Sequence, residues 1–225
     1  MTSGLRRCRK AAALGAAAFV WLGAQPAAAG DDDPVAPFMI GDGLYYVGAS
    51  DAAAYLVSTD EGLILIDGGH QTVAPPVLAN LTLLGFEPSQ VKLMLTTGPP
   101  PDQAAGSTGG SKVTLGALTL TAHATPGCTA WSFPVRIDGA TRQALLVCAP
   151  GADRDMMALA KAPCELFLAN RLGAFKGAEK RAAMKPGAPN PFIDPEGCKT
   201  FFAAEKARSD AGAAVERATR AVESR

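Results

Sequence analysis

The stretch at residues 91–106, V-K-L-M-L-T-T-G-P-P-P-D-Q-A-A-G, constrains the fold more than any other part of the sequence. Residues 91–95 form a short apolar strand, and two threonines lead from it into a loop. Before this strand, residues 73–84 carry an apolar face at helical spacing, and Gly85 is placed to end that helix. Because an apolar run at residues 63–67 comes earlier still, the order predicts a β-α-β passage in which a helix packs on a sheet.

Further strand-like runs stand on both sides of this passage. Apolar runs at 38–40, 44–47, 53–59 and 63–67 are separated by the turn signals G-D-G and T-D-E-G, which predicts an antiparallel meander. Later in the chain we expect a strand pair or one bent strand at 113–121 around Gly116-Ala117, a hairpin from 131–137 and 142–148, and a last strand at 165–168. Helices are predicted at 153–161, at 177–184 and from about residue 199. The fold class is therefore α/β.

The first 29 residues have the pattern of a secretory signal peptide. A basic region at residues 6–10 precedes an apolar run at 11–24, and Ala27-Ala28-Ala29 offers a cleavage site before Gly30. We therefore predict a periplasmic or secreted protein with residues 30–225 as its single domain. An uncleaved membrane anchor is the alternative, although the run is short and rich in alanine. After cleavage no run is long enough to span a bilayer.

Charge and cysteine content narrow the function further. Without the leader the chain has 17 basic and 21 acidic residues, a net charge of about −4, so no nucleic-acid partner is expected. Four cysteines remain, Cys128, Cys148, Cys164 and Cys198, and an even number in an exported chain suggests disulfides. No C-x-x-C motif occurs, so a thiolate zinc site is not expected.

Four motifs together resemble the zinc metallo-β-lactamase superfamily, and within it most of all the third subclass of metallo-β-lactamases. They are L-I-D-G-G, T-P-G-C-T-A-W, P-C-E-L-F-L-A and N-P-F-I-D-P-E-G-C. The resemblance covers residues 37–217 and implies a four-layer αβ/βα sandwich, shortened because several dozen residues are missing between 106 and 111 and a further stretch between 150 and 153. It also implies a disulfide between Cys164 and Cys198. Cys128 with Cys148 is a second pairing that the sequence leaves open.

The same resemblance implies a zinc site in which most of the ligand residues are replaced. Enzymes of the family hold two zinc ions with five histidines and an aspartate, whereas this chain has two histidines in all, His70 and His123. Laid over H-x-H-x-D-H, the ligand positions are occupied by Gly98, Pro100, Asp102 and Gln103. Arg171 stands at the last ligand position, and His123 matches a histidine that is not a ligand. Asp102 is thus the one retained ligand position.

We therefore expect no catalytic residue, no metal site and no cofactor. The remnant pocket, defined as His70, Asp102, Gln103 and Arg171, is predicted to hold a small anion through Arg171, or to pair Arg171 with Asp102. The chain would then be a non-catalytic pseudoenzyme that binds a small molecule or a protein. The alternative is a metal-dependent hydrolase of β-lactams or related amides and esters. That reading needs an atypical site built from His70, Asp102 and His123. A third reading is a decayed product without a stable fold.

Overall fold

The computed structural model describes residues 33–68, 74–98, 110–125, 128–149 and 156–223. Ten strands form two five-stranded sheets, and each sheet follows the chain in simple order. The first sheet contains β1 (Phe38–Gly41), β2 (Leu44–Tyr46), β3 (Tyr55–Thr59), β4 (Gly62–Ile66) and β5 (Val91–Leu95). The second sheet contains β6 (Lys112–Leu115), β7 (Leu118–Thr125), β8 (Cys128–Ile137), β9 (Ala140–Val147) and β10 (Leu166–Ala169).

Both sheets are antiparallel except at one edge, where a crossover adds a parallel strand. In the first sheet β5 pairs with β4 in parallel after the helix α1 (Ala74–Leu83), which is the predicted β-α-β passage. In the second sheet β10 pairs with β9 in parallel. A parallel strand needs a crossover connection that leaves the sheet and returns to it. Such crossovers run over the outer face of a sheet.

The main core lies between the two sheets, and a smaller core lies under α1. Every residue of β4 after Gly62 is buried, because one face meets the other sheet and the opposite face meets α1. Val77 and Leu81 of α1 pack on Leu56 and Leu65 of the first sheet. Across the main core, the Tyr55 hydroxyl donates a hydrogen bond of 2.7 Å to the Ala169 carbonyl oxygen, so β3 is joined to the end of β10.

The helices α2 (Gly177–Ala183) and α3 (Pro195–Glu223) follow the second sheet. All four residues of β10 are buried, and Phe167 packs against Phe201 of α3 with ring centroids 4.9 Å apart. The outer face of β10 is therefore covered by α3. This completes a helix–sheet–sheet–helix order, and the predicted four-layer αβ/βα sandwich is confirmed.

The long helix α3 has two distinct halves. Its first eleven residues include buried Cys198, Phe201, Phe202 and Glu205. From residue 206 to residue 222 the side chains are exposed, apart from two that are half-buried. Within the described part of the chain, no helix is long and apolar enough to cross a membrane.

Two predicted helices differ from those in the structure. The terminal helix begins at Pro195, four residues earlier than expected, because Asp194 caps it. Residues 156–161 form a 3₁₀ helix, whereas an α-helix was expected over 153–161. There the Ala162 N–H donates to the Leu159 carbonyl oxygen, a three-residue spacing that is typical of the tighter helix.

Candidate functional site

The loop at the end of β5 begins from a rigid anchor between the sheets. Asp67, directly after β4, accepts hydrogen bonds from the Thr97 N–H (2.6 Å), the Thr97 hydroxyl (2.7 Å) and the Thr96 hydroxyl (3.3 Å). From the second sheet, the Trp131 indole N–H donates to the Thr96 carbonyl oxygen at 2.9 Å. Asp67 has a left-handed backbone (φ 61°), which an aspartate adopts more readily than most residues. Its carboxylate thus fixes Thr96 and Thr97, the two residues directly after β5.

The structure describes one of the four residues of the remnant pocket. Arg171 follows the end of β10, and its backbone forms a bridge with Ala52. Its guanidinium forms an ion pair with the Asp51 carboxylate, while about half of the arginine side chain stays exposed. His70, Asp102 and Gln103 lie outside the described residues, so the expected pairing of Arg171 with Asp102 stays a prediction. The observed partner of Arg171 comes from the loop between β2 and β3.

His123 has a structural hydrogen bond of its own. Its Nε2 lies 2.8 Å from the Ser132 hydroxyl oxygen, across the β7–β8 pair. Partial burial lowers the pKa of His123 below its ordinary value of 6.5, which favours the neutral ring near neutral pH. The hydrogen bond to Ser132 therefore gives His123 a structural role between β7 and β8.

The donor set at the family's zinc positions does not fit a pair of zinc ions. Gly98 and Pro100 have no side-chain donor, Gln103 has only an amide, and Arg171 is a permanent cation engaged with Asp51. Among the residues that the structure describes, no group of three or more histidine, cysteine, aspartate or glutamate side chains is arranged to hold a metal ion.

A cavity of about 500 Å³ opens beside Arg171. It lies between the end of β10, the 3₁₀ helix Leu172–Phe175 and the first half of α3. Three phenylalanine rings, those of Phe167, Phe175 and Phe201, form its apolar wall, and all three are buried. Charged side chains stand around it: Arg171, Lys176, Asp194, Glu196, Glu205 and Arg208. Sequence reasoning missed this cavity, because it depends on how α3 lies across β10.

Two disulfides hold the elements around the site. Cys164 and Cys198 join the residues before β10 to the first turn of α3, as the resemblance implied. Cys128 and Cys148 join the start of β8 to the residue after β9, so the pairing that the sequence left open is present. Because the first bridge ties α3 to the strand beneath it, it also fixes one wall of the cavity.

An ion pair connects α2 with the start of α3 at the edge of the cavity. The Lys180 ammonium nitrogen lies 2.8 Å from an Asp194 carboxylate oxygen, and Lys180 is almost completely buried. Burial alone would raise the pKa of Asp194. The Lys180 ammonium and the Gly197 backbone N–H outweigh that effect, and the pKa of Asp194 falls below its usual value of 3.8. Asp194 is therefore a carboxylate under ordinary conditions.

Comparison with known proteins places this fold among solved structures. No protein-family model matches the chain. The subclass B3 metallo-β-lactamase BJP-1 of Bradyrhizobium japonicum is 26% identical, with a TM-score of 0.71, over 84% of this chain and 97% of that one. The native FEZ-1 metallo-β-lactamase of Legionella gormanii is 25% identical, with a TM-score of 0.70, over 80% and 96%. A Cronobacter sakazakii metallo-β-lactamase described by a HARLDQ motif is 24% identical, with a TM-score of 0.71, over 83% and 97%.

Proposed function

The chain is a shortened form of the subclass B3 metallo-β-lactamase fold, and from this premise we propose that it is an exported binding protein without zinc catalysis. The observation that carries the proposal is the ion pair between Arg171 and Asp51. Arg171 stands where the resemblance puts the last zinc ligand. A guanidinium keeps its proton at any ordinary pH and has no lone pair with which to bind a metal ion, and here it is already engaged with the Asp51 carboxylate.

Two more positions of the loop support the same conclusion. Gly98 and Pro100 replace histidines of the H-x-H-x-D-H pattern, and neither can supply a ligand atom from its side chain. Gln103 carries less weight. The HARLDQ motif that describes the Cronobacter sakazakii structure also ends in aspartate and glutamine, as do residues 98–103 here, G-P-P-P-D-Q. The same motif has arginine in place of the second histidine, so Pro100 also carries less weight, and the proposal rests on Gly98 and Arg171.

Export is supported by the disulfides together with the leader. Both cysteine pairs are close enough to be bonded, with Cα atoms 6.1 Å and 6.4 Å apart. Disulfides persist in the periplasm and outside the cell, and are rare in a reducing cytosol. The predicted signal peptide at residues 1–29 would deliver the chain to such a compartment.

Binding is supported by the cavity beside Arg171. Its volume of about 500 Å³ lies in the range of sites for small organic molecules, and its wall is mostly apolar with a few charged groups. Loss of the zinc ligands leaves the sandwich and this concave surface in place, so binding needs no further change to the fold.

The test is zinc content and hydrolysis on the mature, oxidised protein. We expect no bound zinc and no turnover of a chromogenic cephalosporin, with a subclass B3 enzyme prepared in parallel as the positive control. Zinc at about one or two per chain, with turnover that a chelator abolishes, would overturn the proposal and favour the hydrolase. An NMR titration with zinc adds a direct check. The hydrolase reading requires the His70 and His123 signals to move, and our proposal requires both to stay in place.

A further inference from the structure

We propose that the cavity beside α3 binds a small molecule that has an aromatic or aliphatic body and a single negatively charged group. This inference rests on the proposed function, because it names the class of ligand that the non-catalytic protein would take. Three features of the cavity support it: its phenylalanine wall, the pairing of its charges, and the backbone conformation of one lysine.

The wall of the cavity suits an apolar body. Phe167 and Phe201 pack against each other with ring centroids 4.9 Å apart, and Phe175 lines the wall from the 3₁₀ helix. Ala149, Ala174 and Ala204 leave the space in front of these rings open, because an alanine side chain fills so little of it. A ring or a short hydrocarbon chain in this space would displace water from apolar surface, which is the main source of affinity in such sites.

Of the charged side chains around the cavity, one lysine has no ion-pair partner among the described residues. Arg171 is paired with Asp51, and Arg208 is paired with the buried carboxylate of Glu205. The two remaining acids are also paired, Asp194 with Lys180 and Glu196 with Lys199. Lys176 differs from all of these, since no carboxylate of the described residues lies within ion-pair distance of its ammonium, and its charge acts on Asp194 only at longer range, where it helps to lower the pKa of that carboxyl. One unpaired positive charge at an apolar cavity matches a ligand with one negative charge.

The backbone of Lys176 points to the same role. Lys176 joins the 3₁₀ helix to α2 in a left-handed conformation, with φ 56° and ψ 42°. A side chain with a Cβ is less stable there than glycine, which adopts this conformation without a steric penalty. Stability alone would therefore favour glycine at this position. A lysine in its place is explained if its ammonium binds a ligand.

The experiment compares two fluorescent probes that share a body and differ in charge. The anionic probe is 8-anilinonaphthalene-1-sulfonate, and the neutral probe is N-phenyl-1-naphthylamine. Both are titrated into the mature, oxidised protein and four variants. Lys176→Gln removes the unpaired charge, and Lys112→Gln, on the exposed strand β6, is its control. Ala204→Leu fills the cavity, and Ala203→Leu, exposed on the same helix but not lining the cavity, is its control.

We expect Lys176→Gln to raise the dissociation constant of the anionic probe by about fivefold and that of the neutral probe by less than about twofold. Ala204→Leu should raise the dissociation constants of both probes by about tenfold or more, and the two control variants should bind both probes like the parent protein. The inference is overturned if Lys176→Gln and Lys112→Gln bind the anionic probe with the same affinity. It is also overturned if Ala204→Leu and Ala203→Leu bind both probes with the same affinity.

Hydrolysis measured on the same samples separates the two proposals. Absence of turnover together with absence of probe binding would overturn the ligand class and leave the non-catalytic function standing. Zinc-dependent turnover would overturn the proposed function whatever the probes do. Competition by decanoate, which has an aliphatic body and one carboxylate, should displace the anionic probe, whereas decanol should displace it less well.

Discussion

Replacing Asp194 with alanine should destabilise the protein strongly, because this carboxylate has two structural roles. One oxygen accepts the Gly197 N–H at 2.8 Å and caps α3, and the other lies 2.8 Å from the Lys180 ammonium. Losing an N-cap costs about 1 kcal/mol. Leaving a buried charge without its partner costs about 3 to 5 kcal/mol, and we take about 2 kcal/mol here because Asp194 itself is 32% exposed. The expected loss in the free energy of unfolding is therefore about 3 kcal/mol.

Urea unfolding followed by circular dichroism measures this loss, and a set of variants divides it between the two roles. Asp194→Asn keeps a cap acceptor and removes the charge, so it should cost about 2 kcal/mol. Adding Lys180→Met to Asp194→Ala removes the unpaired ammonium and should restore part of the stability. The matched control is Asp210→Ala, which breaks the exposed pair with Lys206 and should cost less than about 0.5 kcal/mol. If Asp194→Ala costs no more than Asp210→Ala, the reasoning is refuted.

The pH dependence gives the same ion pair a second test. Because the pKa of Asp194 is lower in the folded protein than its ordinary 3.8, the carboxylate stabilises the fold fully above that pH. That contribution is lost as the pH falls below 3.8 through the folded value. The difference in stability between the parent protein and Asp194→Asn should therefore shrink in acid, and a constant difference down to the end of the acid range would contradict the assignment.

Three further expectations use the same unfolding assay. Replacing both Cys164 and Cys198 with alanine opens a loop of 34 residues and should cost about 3 to 4 kcal/mol, whereas a change below about 1 kcal/mol would show that the bridge does not stabilise the fold. Asn80→Ala should cost about 2 to 3 kcal/mol, since its buried amide donates to the Val35 and Val47 carbonyl oxygens at 2.9 Å each, and Asn80→Asp should not rescue it because both contacts need a donor. His123→Gln should remove a loss of stability that begins as the pH falls below 6.5, because the folded protein holds this ring neutral through its lowered pKa; an unchanged pH profile would refute that role.

The strands could be predicted because local pattern decides them. The apolar runs on both sides of Gly116 predicted a strand pair or one bent strand, and the structure has the pair β6–β7 with a turn at Gly116, where φ is 58°. The start of α3 could have been predicted as well. Asp194 followed by Pro195 is an N-cap followed by proline in the first turn, a pattern that favours a helix beginning there.

The candidate site could be predicted only in part, because its contacts join distant parts of the chain. Arg171 and Asp51 are 120 residues apart, and no local pattern indicates that they pair. The resemblance located Arg171 at the site, yet it could not indicate the cavity. That space depends on the position of α3 over β10, which the packing of Phe167 on Phe201 and a disulfide determine together.

The two halves of α3 have a consequence for the motions of the molecule. Beyond residue 205 the helix continues for about 27 Å, and it is stabilised there by its own hydrogen bonds and by weak pairs such as Glu216 with Arg220. Isolated helices of this length are marginal in water, so the distal turns open and close without any change in the core. Amide protons on either side of residue 205 should therefore exchange with solvent on different timescales, those before it with the whole domain and those after it far faster. The hydrogen bonds of α3 are continuous, but we expect its two halves to unfold as separate units.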